Sequence, residues 1–303
     1  MRIGYPCINR SIGCTASRTF RLVSYNEVRM RETIAGNLAC LEKILAFNVH
    51  HGLLFFRITS DLVPFASHPV CTFPWQEEFA GELETIGAYI LQHGFRISMH
   101  PDQFVLLNAM DERVLQRSIA DLRYQVQVLD LMRLDPSAKV QVHVGGMYGD
   151  KQAAIERFLS QYDLLDTAIQ ERLVIENDER LYTIRDCLAI HEQSGIPIIA
   201  DAFHHSLLNN GESFLSLLTP VRKTWKGKDG VPMIDYSSQE PGKRFGAHAT
   251  HIVEEDFRQF IKETLPADFD IMLEIKDKEK SAQAALAIAG DDPRLVTRGL
   301  GDA

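Results

Sequence analysis

Eight short β-rich runs, each followed by a stretch of different periodicity, constrain this 303-residue chain more than any other feature. The runs cover residues 2–5, 53–58, 95–100, 139–144, 172–177, 196–201, 231–236 and 270–275. Between them apolar residues recur every three or four positions, as in an amphipathic helix. Ile34, Leu38, Leu41 and Leu45 show this spacing, and so do Phe79, Leu83, Ile86 and Ile90. Leu115, Ile119, Leu122, Val126 and Leu129 extend it by a further step, and Gly195 stands where a helix C-cap belongs. An eightfold strand–helix alternation over this length predicts an α/β fold, a (β/α)8 TIM barrel in a single domain. The competing doubly wound sheet normally carries a glycine-rich phosphate loop after its first strand, and "GYPCINRSIG" is a poor one. No Pro- or Ser-rich linker divides the chain.

The polar residues follow the same period. The third strand ends in His100, the fourth in His143, the fifth in Glu176 and the sixth in Asp201; the seventh carries Asp235 and the eighth Glu274. One such residue is ordinarily a cap or a turn former. Six in succession, all of types that bind divalent cations and with no Ser, Thr or Asn among them, point to a shared centre at the C-terminal mouth, where barrel active sites form. His204, three residues beyond Asp201, and His248, on the long loop after the seventh strand, are placed to join them; His68, in "PFASHP", is a weaker candidate. His50, His51, His93 and His191 read as helix-surface residues.

Four carboxylates and four histidines exceed the needs of one zinc ion. They suit two or three ions with a bridging carboxylate, and mixed nitrogen and oxygen donors favour zinc or manganese. Glu176, ending a middle strand of the six, is the natural bridge. Ions roughly 3.5–4 Å apart serve in-line displacement at phosphorus. The net charge of −9 argues against a nucleic-acid partner, but three divalent ions would offset much of it locally. Basic runs with an embedded aromatic occur at 18–22 ("RTFRL"), 221–228 ("VRKTWKGK") and 242–246 ("GKRFG"), and of the last two only the third flanks the ligand-bearing side. Five cysteines with no Cys-x-x-Cys spacing predict reduced thiols. No apolar run approaches the roughly 18 residues of a membrane span, and the N-terminus lacks a signal-peptide stretch, so a cytoplasmic protein is expected.

"GYPCIN", "FRITSDLVPFASHP", "SMHPDQFV", "HVGGMYGDK", "IENDER", "DAFHH", "SSQEPGKRFGAHA" and "EIKDKE" together resemble the UV damage endonuclease family, from Gly4 to about Lys280. Residues 281–303 then form a tail outside the match. The resemblance implies a manganese enzyme with up to three ions, zinc or magnesium being substitutes. It implies a nick in double-stranded DNA immediately 5′ to pyrimidine dimers and 6-4 photoproducts, with some activity at abasic sites. Carried over, the ligands fall on His100, His143, Glu176, Asp201, His204, His248 and Glu274, with His68 as an active-site histidine. Catalysis is expected to centre on Glu176, Glu274, His100 and His143.

The family's polar–aromatic wedge falls on Gln103 and Phe104, where members often carry Tyr in place of Phe104. Tyr5 and Asn9 match residues at the lesion pocket and DNA backbone, and Lys243 and Arg244 are expected phosphate contacts. One departure is clear. Where the family has Lys-x-His, its lysine sometimes carboxylated, this chain reads Met233-Ile234-Asp235. Asp235 is expected as an oxygen ligand in place of the imidazole, and no modified lysine is expected. The rival readings are an endonuclease IV-type abasic-site enzyme and a xylose isomerase-like sugar isomerase. A monomer is expected.

Overall fold

The computed structural model describes residues 1–296. Eight parallel strands close into a barrel in sequence order: β1 (Ile3–Pro6), β2 (Phe55–Thr59), β3 (Arg96–His100), β4 (Lys139–His143), β5 (Leu173–Glu176), β6 (Ile198–Asp201), β7 (Met233–Tyr236) and β8 (Asp270–Leu273), with β8 pairing back onto β1. Each strand begins and ends within two residues of the expected bounds. Helices fill the connections, and the apolar positions that predicted them are the ones buried: Ile34, Leu38, Leu41 and Leu45 in the helix Glu27–His50, and Leu115, Leu122, Val126 and Leu129 in Glu112–Leu131.

Helix ends follow local chemistry. Asn26, Asp111 and Asp150 each accept a backbone N–H of the first turn, and Thr183 and Asp186 form a reciprocal capping box. Such caps contribute about 1 kcal/mol each. Gly195 ends its helix at φ 75°, a left-handed conformation that favours glycine.

Alternation along each strand divides the core in two. Outward residues such as Phe56, Ile58, Val140, Val142, Ile175 and Ile234 join the large apolar cluster beneath the helices. Inward residues fill the barrel in layers. The N-terminal end carries Arg96, Lys139 and Asp270; above them lies an apolar plug of Phe55, Val174, Ile199, Met233 and Met272 with Trp225. Next come Arg57, Gln141 and Asp235, and the C-terminal mouth carries the histidines and remaining carboxylates. The basic run at 221–228 belongs to the N-terminal end, where Trp225 is buried and Arg96 lies over its ring at 5.5 Å.

Two expectations are corrected. Cys14 and Cys40 form a disulfide, while Cys7, Cys71 and Cys187 are free. A separation of 26 residues gives no signal in sequence, but the fold brings the two Cα atoms to 6.0 Å, within bridging range. The supposed tail from residue 281 is not separate either: the helix Glu279–Ile288 buries Ala282 and Ala285 and completes the outer ring. Of that tail, residues 297–303 lie outside the described residues. Among the described residues no helix is long and apolar enough to cross a membrane.

At the closed end Lys139 is fully buried, donating to the Asp229 carboxylate at 2.6 Å and the Glu171 carbonyl at 2.8 Å. Removing one partner of a buried pair leaves the other uncompensated. Lys139→Ala is expected to lower stability by about 3–5 kcal/mol in urea unfolding.

Candidate metal centre and DNA-facing rim

Strand register assembles the centre. His143 pairs with Glu176 across β4 and β5, and Asp201 with Asp235 across β6 and β7. His100, His143, Glu176 and Asp201 each end a strand, and Glu274 lies one residue beyond β8. His204 enters from the short helix Ala202–Leu207, capped by the Asp201 side chain. His248 returns on the loop after β7, where Gln239 and His248 form an antiparallel bridge. The ring centroids of His100 and His143 are 5.2 Å apart, and those of His143–His204 and His204–His248 are both 5.9 Å apart. The four imidazoles form an arc.

Two groups offer ligand atoms within 4.8 Å of one another: His100, His143 and Glu176, and Glu176, Asp201 and His204. Glu176 belongs to both. Three of the imidazoles are oriented through Nδ1. His100 meets the Pro101 carbonyl at 2.8 Å, His204 the Asn177 carbonyl at 3.0 Å, and His248 the Glu274 carbonyl at 3.0 Å. For His100 and His248 this turns Nε2 toward the carboxylates, 3.5 Å from Glu176 Oε2 and 4.0 Å from Glu274 Oε2, the arrangement metal-ligating histidines adopt, whereas His204 sets Nδ1 itself 3.1 Å from Glu176 Oε1 and 3.5 Å from Asp201 Oδ2. Glu176 Oε1, Asp201 Oδ2 and His143 Nδ1 are buried without a hydrogen-bond partner in the protein. Buried polar atoms are rarely left so. Oriented imidazoles and unspent carboxylate oxygens fit divalent cations.

The electrostatics agree. Burial alone would lower the His204 pKa, but the Asp201 and Glu176 carboxylates outweigh it and lift it to about 11. Burial pushes Asp201 up to about 6 against the opposing pull of His204. Glu176 is held well below the carboxylate range: burial opposes its charge, but His143, His100 and His204 favour it. The centre therefore demands positive charge, and without a metal it takes a proton.

The stretch "LVIENDER" supplies more than its glutamate. Asn177 exchanges hydrogen bonds with the Asp201 backbone at 2.9 and 3.1 Å, locking β5 to β6 beneath the ligands. Asp178 accepts from the backbone N–H groups of Arg180, Leu181 and Tyr182, which closes the loop in a tight turn and leaves the Glu179 carboxylate 4.0 Å from His204 Nε2. Arg57 and Gln141 were not anticipated. Both are inward and buried just below the ligands, bonded to Asp235 and, through Gln141, to Glu176. The available signal was a polar residue in a greasy strand at the parity of the strand's end: Gln141 stands two before His143.

Other expected residues divide sharply. Phe104 is 71% exposed, with Gln103 exposed beside it on the loop after β3. Lys243 and Arg244 are exposed on the loop after β7, next to Phe245, also 71% exposed. His68 lies outside both ligand groups; its Nδ1 accepts from the Val70 backbone N–H, and it lines a 530 Å³ cavity with Asp102, Phe104 and Arg117. The structure does not place Tyr5 and Asn9 on a DNA-accessible surface. Tyr5 faces outward from β1 into the helix layer, donating to Asn48 at 2.6 Å and accepting from Asn9 at 2.9 Å, and both residues are buried. Asp235 belongs to neither ligand group; Arg57 engages both its oxygens. A 420 Å³ cavity opens over Arg57, His100, His248, Glu274 and Lys278.

A histidine protonated at neutral pH must lose its proton before it ligates a metal. Manganese titration of metal-stripped protein at pH 7 is expected to release protons, and affinity should fall about tenfold for each pH unit of acidification per proton displaced. Calorimetry in buffers of different ionisation enthalpy checks this; pH-independent binding would contradict it.

Residues 1–289 match the UV-endonuclease UvdE family. A UV DNA damage endonuclease of Clostridium perfringens (strain 13 / Type A) is 38% identical over 93% of this chain and 69% of its own length. The crystal structure of SacUVDE superposes with a TM-score of 0.93 at 45% identity, covering 97% of this chain and all of that one. Endonuclease IV from Thermus thermophilus shares the fold alone, with a TM-score of 0.59 at 17% identity over 96% of this chain and 98% of that one. With a barrel that superposes on SacUVDE and a family match running through β8 into the last helix, this chain belongs to the UV-endonuclease family and is a DNA-cleaving hydrolase.

Proposed function

We propose that the chain is a metal-dependent repair endonuclease that hydrolyses a phosphodiester immediately 5′ to a UV lesion in duplex DNA. Cyclobutane pyrimidine dimers and 6-4 photoproducts are its main substrates and abasic sites a lesser one. The observation that carries this reading is Glu176, a buried carboxylate shared by two groups of ligand atoms at the mouth of the barrel. His100 and His143 complete one group, and Asp201 and His204 the other. His248 and Glu274 close the opposite wall, His248 Nε2 facing Glu274 Oε2 at 4.0 Å. We take manganese as the ion, with zinc or magnesium as substitutes; when bound, divalent ions supply an acidified water and stabilise charge on the attacking and leaving oxygens.

The protein's own groups do the rest. Backbone carbonyls hold His100 and His248 in the tautomer that leaves Nε2 free, and the Asn177 carbonyl orients His204 with Nδ1 beside Glu176. Gln141 fixes the Glu176 and Asp235 carboxylates against reorientation, and Asn177 fixes the Asp201 backbone. The exposed pair Gln103 and Phe104 fits a wedge, since a damaged base pair stacks poorly and is the cheapest to open. Lys243 and Arg244 suit the phosphate backbone. An exposed aromatic beside exposed basic side chains favours a nucleic-acid polymer over an aldose. A monomer acting in the cytoplasm completes the reading.

With manganese, the chain is expected to nick a UV-irradiated duplex oligonucleotide once, on the damaged strand, 5′ to the dimer. Equal cutting of undamaged duplex, or turnover of an aldose instead, would reject the assignment. Glu176→Gln should reduce nicking by more than the ~100-fold typical of losing an outer ligand-orienting partner, with an unchanged circular dichroism spectrum; parental rates would remove Glu176 from the bridge.

Replacing Gln103 and Phe104 together with Ala should cost about 1–3 kcal/mol of stacking, roughly a 5- to 150-fold loss of preference for irradiated over intact duplex. Metal content should not change. Competition binding at fixed salt reads the preference, and an unaltered ratio would reject the wedge.

A further inference from the structure

The ligand groups account for one side of the mouth, and Arg57 dominates the other. Its guanidinium projects inward from β2 and is 3% exposed. Nη1 donates to Glu274 Oε1. Nη2 reaches Asp235 Oδ1 at 2.9 Å, Asp235 Oδ2 at 2.7 Å and Gln141 Oε1 at 2.7 Å. Gln141 Nε2 donates in turn to Asp235 Oδ2 at 2.7 Å and to Glu176 Oε2. Every oxygen of Asp235 is spent on these donors. Glu176 Oε1 and Asp201 Oδ2, in the ligand groups, accept no hydrogen bond, and the charged neighbour of both is His204 Nδ1, at 3.1 and 3.5 Å.

We propose that the Arg57 guanidinium occupies the β7 corner of the cluster in place of a metal ion, so that the chain holds two ions sharing Glu176, and Asp235 is the counter-charge of Arg57 and ligates neither. The inference rests on the metal-dependent reading above and deepens it. A cation at Asp235 would have to displace a fixed guanidinium and strand its donors in a buried site, whereas Glu176 Oε1 and Asp201 Oδ2 across the barrel face only the His204 imidazole, itself a member of the same ligand group. Arginine stays charged under all working conditions, so the corner is permanently filled. Arg57 also becomes a positioning residue. It anchors Glu274 by one oxygen and leaves Oε2 facing His248.

Metal analysis of the full chain, stripped and reloaded with manganese and freed of excess ion, tests this without reference to nicking. Two ions per chain are expected, and Asp235→Asn should still hold two. Three ions in the parent, or loss of one in Asp235→Asn, would overturn the inference while sparing the metal-dependent reading. Fewer than two in the parent would overturn the shared role of Glu176 itself. Should Asp235→Asn fail to fold, anomalous diffraction from parent crystals soaked in manganese decides. Two peaks with none within about 2.5 Å of an Asp235 oxygen are expected, and a peak within that distance rejects the proposal.

Discussion

Four carboxylates, Glu176, Asp201, Asp235 and Glu274, crowd the inner face of one end of a closed barrel, and three of them are all but inaccessible to water. Their mutual repulsion in a medium of low polarity is the condition that the surrounding structure answers. Three devices meet it. Arg57 contributes a permanent positive charge beneath the mouth, and the pull of Asp235 and Glu274 raises its pKa despite the cost of burial. That same guanidinium holds Glu274 down to about 2, although burial alone would raise it. His204 carries a proton. Neutral amides do the remainder, with Gln141 spanning Asp235 and Glu176 and Asn177 stapling the Asp201 backbone. A site compensated in this way is preorganised: the ligands need little rearrangement to accept cations, because the protein already holds their charges in place.

Much of this was readable because parallel strands obey a strict period of two. His100, His143, Glu176 and Asp201 end consecutive strands, so register alone gathers them at one rim. The same period explains what was misplaced. Ile3 and Tyr5 share the outward face of β1, so Tyr5 stacks edge-on against Phe56 and bonds Asn48 in the first helix, away from the mouth. A motif match carries no parity, and strand parity decides which layer a side chain enters. Arg57 was missed for a related reason: a lone arginine inside "FFRIT" offers no ligand chemistry, and its partners come from β4, β7 and the end of β8. The Cys14–Cys40 bridge depends on a loop packing back on a helix, which no spacing rule anticipates.

The rim and the centre divide the work by exposure. Phe104, Phe245, Lys243 and Arg244 are solvent-facing, while Glu176 and Asp201 below are buried and held by the barrel. This also resolves the conflict between an acidic chain and a polyanionic substrate. Net charge of −9 describes the far field, which salt screens over about 8–10 Å. Association at the mouth responds to the charges within that distance, and there the carboxylates are neutralised by Arg57, by a proton or by metal.

Met233 and Asp235 are best understood together. Two residues apart on β7, both face inward, and they occupy successive layers. Met233 lies in the apolar plug with Phe55 and Met272, fully buried, where it can supply neither a charge nor a carbamate-forming amine. The layer beneath Asp235 is therefore apolar and uncharged, and the positive charge that Asp235 requires must come from the side. β2 provides it. An aspartate at position 235 and an arginine at position 57 thus form one unit across the barrel, and a change to either alone would leave a buried charge unanswered. This pair bounds the ligand groups from below, and the groups that could hold a metal, His100, His143 and Glu176 with Asp201 and His204, lie on the opposite half of the mouth.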